Sequence, residues 1–175
     1  MKKIAGLVAS LTVIAGVCAA CLAYVNMLTK GPIAEMQVKN ANAAARAVMP
    51  AGVVDVVEEN GIYIGKDSGG KVAGYATRGK DSGGYGGDIV LMVGFEADGC
   101  TLVCYKALQA TETPGLGTKL SSPEFTGQFA GKIVNTALKV KADGGVISAI
   151  TSATITSRAV CRAIADAQSR LPAGK

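Results

Sequence analysis

The chain has 175 residues, a length that fits one globular domain with a short appendage. It is 49% hydrophobic, with 23 glycines, and its formal charge of +5 is not clustered beyond Lys2 and Lys3. Nucleic-acid-binding proteins typically show a clustered basic face with stacking aromatic residues, so this composition argues against a nucleic-acid partner. Histidine is absent, which excludes histidine-based triads and the commonest zinc and haem ligands. We therefore assign no catalytic and no metal-binding residue.

The amino-terminal segment, residues 1–30, predicts a transmembrane anchor. An uncharged run extends from Ile4 to Thr29, and about 20 apolar residues are enough to span a bilayer. The run exceeds the ~7–15-residue apolar region of a cleaved signal peptide, which favours an uncleaved anchor. Because Lys2 and Lys3 favour an inside amino terminus, we expect a single pass through the cytoplasmic (inner) membrane. The following domain would then lie on the extracytoplasmic side.

Residues 31–50 predict a stalk helix that leaves the membrane. Its apolar residues recur at helical spacing, namely Ile33, Met36, Ala44 and Val48. Pro32 suits the first turn of this helix, and Pro50 is expected to stop it.

Residues 51–175 predict one domain that begins as a strand meander. Short strand-like runs separated by Gly and Asp turns cover Val53–Val57, Ile62–Lys66, Val72–Arg78, Ile89–Phe95 and Thr101–Leu108. Asn60-Gly61 and Asp98-Gly99 are hairpin signals between consecutive runs.

The elements after the meander are predicted to be mainly helical. They are a short helix over Ser122–Phe129, one more strand over Val134–Val140 and a final helix over Ile155–Leu171. The final helix has a buried face formed by Val160, Ile164, Ala167 and Leu171. Consecutive strands followed by helices indicate an α+β fold with a mostly antiparallel sheet and packed helices.

The five cysteines do not suggest a disulfide framework. Cys18 and Cys21 lie in the apolar run, and the three cysteines in the rest of the chain would leave one unpaired. Cys100 and Cys104 are predicted on one strand, where four residues span about 13 Å, too far for a bridge. Cys104 and Cys161 are interpreted as small buried hydrophobic residues.

Two glycine-rich loops are candidate site segments. Gly79–Ile89 reads GKDSGGYGGDI, and its glycines around Tyr85 either form a plain hairpin or pack the backbone against a flat or bulky group. Ala110–Leu120 reads ATETPGLGTKL, in which Pro114-Gly115 gives an ordinary turn. Glu112 in this loop is either a solvated charge or a functional group.

The third candidate segment, Ile150–Val160, reads ITSATITSRAV at the start of the predicted final helix. Helix interiors rarely concentrate serine and threonine, because their side chains compete for backbone hydrogen bonds. A helix amino terminus offers unpaired N–H groups and a positive dipole end, which suit a phosphate. The hydroxyls of Thr151, Thr154 and Thr156 can cap the helix or become esterified, and small Ser152 and Ala153 let the backbone approach closely.

Together, GYGGDIVLMVGF, ETPGLGTKL and DGGVISAITSATITSRAV resemble the flavin-binding domain of the G subunit of the Rnf complex, an ion-translocating ferredoxin:NAD⁺ oxidoreductase. The C subunit of the sodium-pumping NADH:quinone reductase shares this domain. The resemblance covers the anchor, the stalk and the whole domain in order. It implies one covalent FMN, joined through its phosphate to the last threonine of a [Ser/Thr]-Gly-Ala-Thr unit. That unit reads Thr151-Ser152-Ala153-Thr154 here, so the resemblance implies Thr154 as the acceptor.

The resemblance also implies roles for the other site residues. The tether would have Thr151, Ser152 and Thr156 as hydrogen-bonding neighbours, with Ala153 beside them. We also assign Tyr85 as a cofactor-binding residue. The isoalloxazine would be lined by the ETPGLG loop, which comprises Glu112, Thr113, Pro114, Gly115, Leu116 and Gly117. Two residues depart from the family pattern: Ser152 replaces Gly, and Ser148 stands where similar proteins carry Asp. Both departures bear on the efficiency of attachment rather than on its site.

The function implied by the resemblance is that of a membrane-anchored electron-relay subunit. The complex would move electrons from reduced ferredoxin to NAD⁺ and export an ion. No ferredoxin, NAD or ion site is visible in this chain, so the complete active site is expected to need partner membrane and peripheral subunits. A flavin transferase is implied for maturation.

Three alternatives remain open from the sequence. The first is a C-type subunit of the sodium-pumping quinone reductase or a stand-alone flavinylated membrane protein. The second is an anchored binding domain without flavin. The third is a phosphate sensor that binds a reversible ligand at the same helix terminus.

Overall fold

The structure is a computed structural model that describes residues 2–135 and 137–172. The chain divides into two compact units, with the division after Asn40. The first unit consists of the amino-terminal part of helix α1 (Lys2–Val48), which is long and apolar enough to cross a membrane. The predicted anchor and stalk are therefore one continuous helix. Pro32 lies inside it, where its ring removes one N–H from the hydrogen-bond ladder, and the good helix formers that follow continue the helix.

The second unit contains a five-stranded antiparallel meander, which confirms the predicted α+β fold. Its strands lie in the order in which they follow one another in the chain: β1 (Asp55–Glu59), β2 (Ile62–Lys66), β3 (Val72–Gly84), β4 (Gly87–Glu96) and β5 (Leu102–Ala110). Asn60 and Gly61 join β1 to β2 with φ of 54° and 81°, as a tight hairpin turn requires.

The sheet is covered on both faces. One face packs against helix α3 (Thr154–Ser169) and the irregular chain before it, with Leu91, Val93 and Ile164 fully buried between them. The other face packs against the last turns of α1, where Ala45 and Val48 contact the cluster that includes Met92. Strand β4 is therefore buried on both sides.

Helix α3 contacts β3 through the predicted glycine-rich loop. That segment is mostly paired strand, because β3 continues to Gly84 and β4 begins at Gly87. A Cβ at Gly79 would collide with the carbonyl oxygen of Ala163, so glycine here lets α3 lie close to the sheet. The segment is therefore a hairpin whose glycine backbone packs closely against α3.

Two predicted elements differ in the structure. The strand over Val134–Val140 is wrong: the described residues of this range form no strand, and Val140 makes an isolated bridge to Ile147. Leu138 and Val140 are nevertheless buried. The Asn135 side chain accepts a hydrogen bond from the Ala137 N–H at 2.9 Å, a local turn that competes with strand pairing. The short helix predicted over Ser122–Phe129 is shorter in the structure, where helix α2 covers Pro123–Thr126, and a 3₁₀ turn over Gly117–Ser121 precedes it.

The final helix begins and ends slightly earlier than predicted, and its predicted buried face is confirmed.

All five cysteines are free. Cys161 is buried, which raises the pKa of its thiol to about 11, whereas Cys104 is only half-buried. Cys100 precedes β5, so the prediction that it shares a strand with Cys104 is wrong.

Candidate functional site

A cavity of about 450 Å³ opens where the three candidate segments converge. It is lined by Tyr85 from the β3–β4 turn, by residues of the loop after β5 (Glu112, Thr113, Leu116 and Gly117) and by residues at the start of α3 (Ser152, Ala153, Thr154, Ile155 and Thr156). This volume is in the range of small-molecule and cofactor sites. Segments about 70 residues apart in the sequence thus form one site.

Most of the predicted site residues line this cavity, but three do not. Thr151 lies on a neighbouring groove with Ser148, and Pro114 and Gly115 form an exposed turn beside the cavity. Gly115 has a φ of 76°, and its N–H donates to the hydroxyl of Thr118 at 3.0 Å. Ile155 also lines the cavity and is not among the predicted site residues. The sequence feature that could have identified it is its position as the first residue of the predicted final helix.

The amino terminus of α3 opens on the cavity without a side-chain cap. The N-cap residue, Ala153, has no side-chain oxygen, and the first bond of the helix runs from the Ser157 N–H to the Ala153 carbonyl at 3.0 Å. The N–H groups of the first turn therefore have no acceptor within the helix. Such a terminus attracts an anion such as a phosphate.

The hydroxyl groups around this terminus differ in their availability. The Thr156 hydroxyl is buried and donates to Glu112 Oε2 at 2.8 Å. The Ser157 hydroxyl is also buried; it accepts from the Ile150 N–H and donates to the Ala153 carbonyl. Thr154 is half-buried, lines the cavity and makes no side-chain hydrogen bond to any described residue. Of these three, Thr154 has the free hydroxyl.

Glu112 is buried, which removes the interpretation of this residue as a solvated charge. Besides Thr156, its carboxylate accepts from the Gly86 N–H at 3.3 Å. A Cβ at Gly117 would collide with the same carboxylate, so the glycine allows the loop to close over it. Glu112 is the one charged residue among the described residues that line the cavity, and it links the β3–β4 turn to α3.

An ion pair holds α3 against the hairpin that carries Tyr85. Arg162 contacts both carboxylate oxygens of Asp81 at 2.8 Å. The hydrogen bonds from this guanidinium hold the pKa of Asp81 below its usual range. The exposed apolar side chains of Tyr85 and Ile155 stand at the rim of the cavity.

Comparisons with known proteins show what the chain is similar to. The family model for an FMN-binding domain matches residues 84–169. The chain is similar to the G subunit of the ion-translocating oxidoreductase complex of Methanosarcina acetivorans, with 32% identity over 93% of this chain and 92% of that protein. It is also similar to the G subunit of the Na⁺-translocating ferredoxin:NAD⁺ oxidoreductase complex of Acetobacterium woodii, with 35% identity over 86% of this chain and 83% of that protein.

A solved structure supports the fold. The C subunit of the Na⁺-translocating NADH-quinone reductase of Parabacteroides distasonis matches 61% of this chain with a TM-score of 0.51 and 23% identity. The match spans 58% of that chain's length, so it bears on the architecture of the domain alone.

Proposed function

Because this chain belongs to the family of G subunits of ion-translocating oxidoreductase complexes, we propose that it is an electron-transfer subunit that carries one covalent FMN at Thr154. When bound, FMN supplies one- and two-electron redox chemistry. The named relatives suggest an overall reaction between reduced ferredoxin and NAD⁺, with the sites for those substrates on partner subunits. The observation that carries the proposal is the free Thr154 hydroxyl on a cavity at an uncapped helix terminus.

The residues of the cavity suit the two parts of FMN. The N–H groups at the start of α3 would meet the charge of the phosphate, since no lysine or arginine is among the described lining residues. The apolar surfaces of Tyr85, Leu116 and Ile155 would flank the flat ring. The buried Glu112 places a negative charge in the same cavity, which would make it harder to add electrons to the ring.

The assignment to Thr154 also rests on the burial and hydrogen bonding of the neighbouring hydroxyl groups. The Thr156 hydroxyl donates a hydrogen bond to Glu112 and is buried, so a modifying enzyme cannot reach its oxygen. Thr151 is exposed but belongs to the adjacent groove. Ser152 is exposed and lines the cavity, which makes it the strongest rival acceptor.

We further propose that α1 anchors the chain by a single pass in the cytoplasmic (inner) membrane, with the FMN domain on the extracytoplasmic side. The support is the length and apolar composition of α1, together with Lys2 and Lys3 at its start. Membrane and peripheral subunits of the complex would deliver and remove the electrons, and a flavin transferase would install the cofactor.

Covalent loading tests the proposal. The full chain is expressed with its own flavin transferase, separated under denaturing conditions, and viewed under ultraviolet light for flavin fluorescence. We expect a fluorescent wild-type band, no fluorescence for Thr154→Ala, and fluorescence for the matched controls Ser152→Ala and Thr151→Ala. A dark wild-type band, or a fluorescent Thr154→Ala band, would refute covalent attachment at Thr154.

A further inference from the structure

The backbone before Thr154 is fixed by a side chain from another part of the fold. Gln128 lies just after α2, twenty residues earlier in the chain than Ser148. Its amide oxygen accepts from the Ser148 N–H at 2.8 Å, and its amide nitrogen donates to the Ser148 carbonyl at 3.2 Å. A single planar amide thus satisfies both backbone groups of one residue, as a neighbouring strand would.

The other end of this segment is held from within α3. The Ser157 hydroxyl bonds to the Ile150 N–H and to the Ala153 carbonyl, and the Ala153 N–H donates to the Ile150 carbonyl at 2.9 Å. Ile150 and Ala153 are buried, whereas Thr151 and Ser152 between them are exposed. Residues 148–153 therefore form a projecting turn that is fastened at both ends, and we name it the presentation turn.

The two residues that hold the ends of the presentation turn, Gln128 and Ser157, differ in their burial. Ser157 lies in the buried interior, so its loss would disturb the packing of α3. Gln128 is half-buried, and its bonds to Ser148 lie at the surface of the domain. The Ser148 hydroxyl makes no hydrogen bond to a described residue, so the contact depends on the backbone at position 148 and not on its side chain. Gln128 can therefore form both bonds whichever residue occupies position 148.

We propose that Gln128 is a positioning residue for flavin attachment, holding the presentation turn in the one conformation that offers Thr154 to the transferase. This role rests on the attachment at Thr154 proposed above. Ester formation needs an activated flavin phosphate, and a flavin phosphoanhydride such as FAD supplies one. The Thr154 oxygen bonds to the flavin-side phosphorus, and the P–O–P bond breaks. AMP leaves with the bridging oxygen, and the hydroxyl proton passes to a base of the transferase.

The test measures initial rates of covalent loading on the full chain, with FAD and the purified transferase. Gln128→Ala removes both bonds to Ser148, and we expect kcat/KM for loading to fall about tenfold at 25 °C. Gln128→Glu keeps an acceptor for the Ser148 N–H but loses the donor to its carbonyl, so an intermediate rate is expected. Gln168→Ala is the matched control, because the Gln168 side chain makes no hydrogen bond to a described residue, and it should load like wild type.

Hydrogen exchange and thermal unfolding separate positioning from folding. In Gln128→Ala the Ser148 amide should exchange faster while the midpoint of global unfolding stays within about 2 °C of wild type. Loading of Gln128→Ala at the wild-type rate would overturn this role for Gln128, and so would slower loading matched by a global loss of stability. Absence of covalent flavin on wild type would refute the proposed function itself and this role with it.

Discussion

The hydrogen bond between Thr156 and Glu112 joins two of the three segments that form the cavity. Its oxygens are 2.8 Å apart, and both residues are buried, with 1% and 8% of their surface exposed. Thr156→Val keeps the branched shape of the side chain and replaces the hydroxyl with a methyl group, which cannot form the bond to Glu112. The substitution therefore isolates the contribution of this bond.

The expected loss follows from the charge and burial of Glu112. A hydrogen bond to a charged group contributes about 1.5–3 kcal/mol. The carboxylate would keep its longer bond from the Gly86 N–H at 3.3 Å and its open side toward the cavity. We therefore expect Thr156→Val to lower the free energy of unfolding by about 2 kcal/mol. For a domain of this size, that corresponds to roughly 6–10 °C in Tm.

The assay is thermal unfolding of the full chain in detergent, followed by near-ultraviolet circular dichroism. Four of the five tyrosines lie in the sheet or at its hairpin turn, so this signal reports on the domain. Thr154→Val is the matched control, since Thr154 is half-buried and has no side-chain hydrogen bond to a described residue; it should change the stability by less than about 0.5 kcal/mol. Equal losses in the two variants would refute the argument that the buried carboxylate depends on Thr156.

Two further predictions concern stability. Ser152 has a φ of 62°, a left-handed conformation that costs a non-glycine residue about 1–2 kcal/mol. Ser152→Gly should therefore stabilise the domain by about 0.5–1 kcal/mol after the entropy of glycine is counted, and an unchanged or lower denaturant midpoint would contradict this. The Arg162 guanidinium depresses the pKa of folded Asp81, so its contribution is present above the unfolded pKa of about 4 and is lost as pH falls through the folded value. Denaturant midpoints between about pH 6 and pH 3 should fall less steeply for Asp81→Asn, and identical slopes would count against this ion pair.

Short-range signals were enough to predict most of the fold. The Asn60-Gly61 turn fixed the first hairpin, and the period of Val160, Ile164 and Ala167 identified the buried face of α3. The strand predicted over Val134–Val140 failed because the same apolar residues bury themselves from an irregular chain. Pro32 predicted the start of a helix and lies inside one, because the sequence alone does not reveal whether the ladder resumes around a proline.

The candidate site was predictable in its segments but not in its contacts. The segments around Tyr85, Glu112 and Thr154 stood out by composition, and their convergence on one cavity is observed. The bond from Thr156 to Glu112 spans 44 residues, and the contact between Gln128 and Ser148 uses an amide that no local pattern singles out. Such long-range pairings depend on the packing of α3 and of the chain after α2, which spacing along the sequence does not encode.

Peptide mass spectrometry of the wild-type chain, purified from membranes that contain its transferase, tests the central claim most directly. Trypsin should release residues 142–158, a peptide that carries the hydroxyls of Ser148, Thr151, Ser152, Thr154, Thr156 and Ser157. We predict that this peptide gains the mass of one FMN less one water and that fragmentation places the addition on Thr154. An unmodified peptide, or an addition on Ser152 or Thr151, would contradict the account.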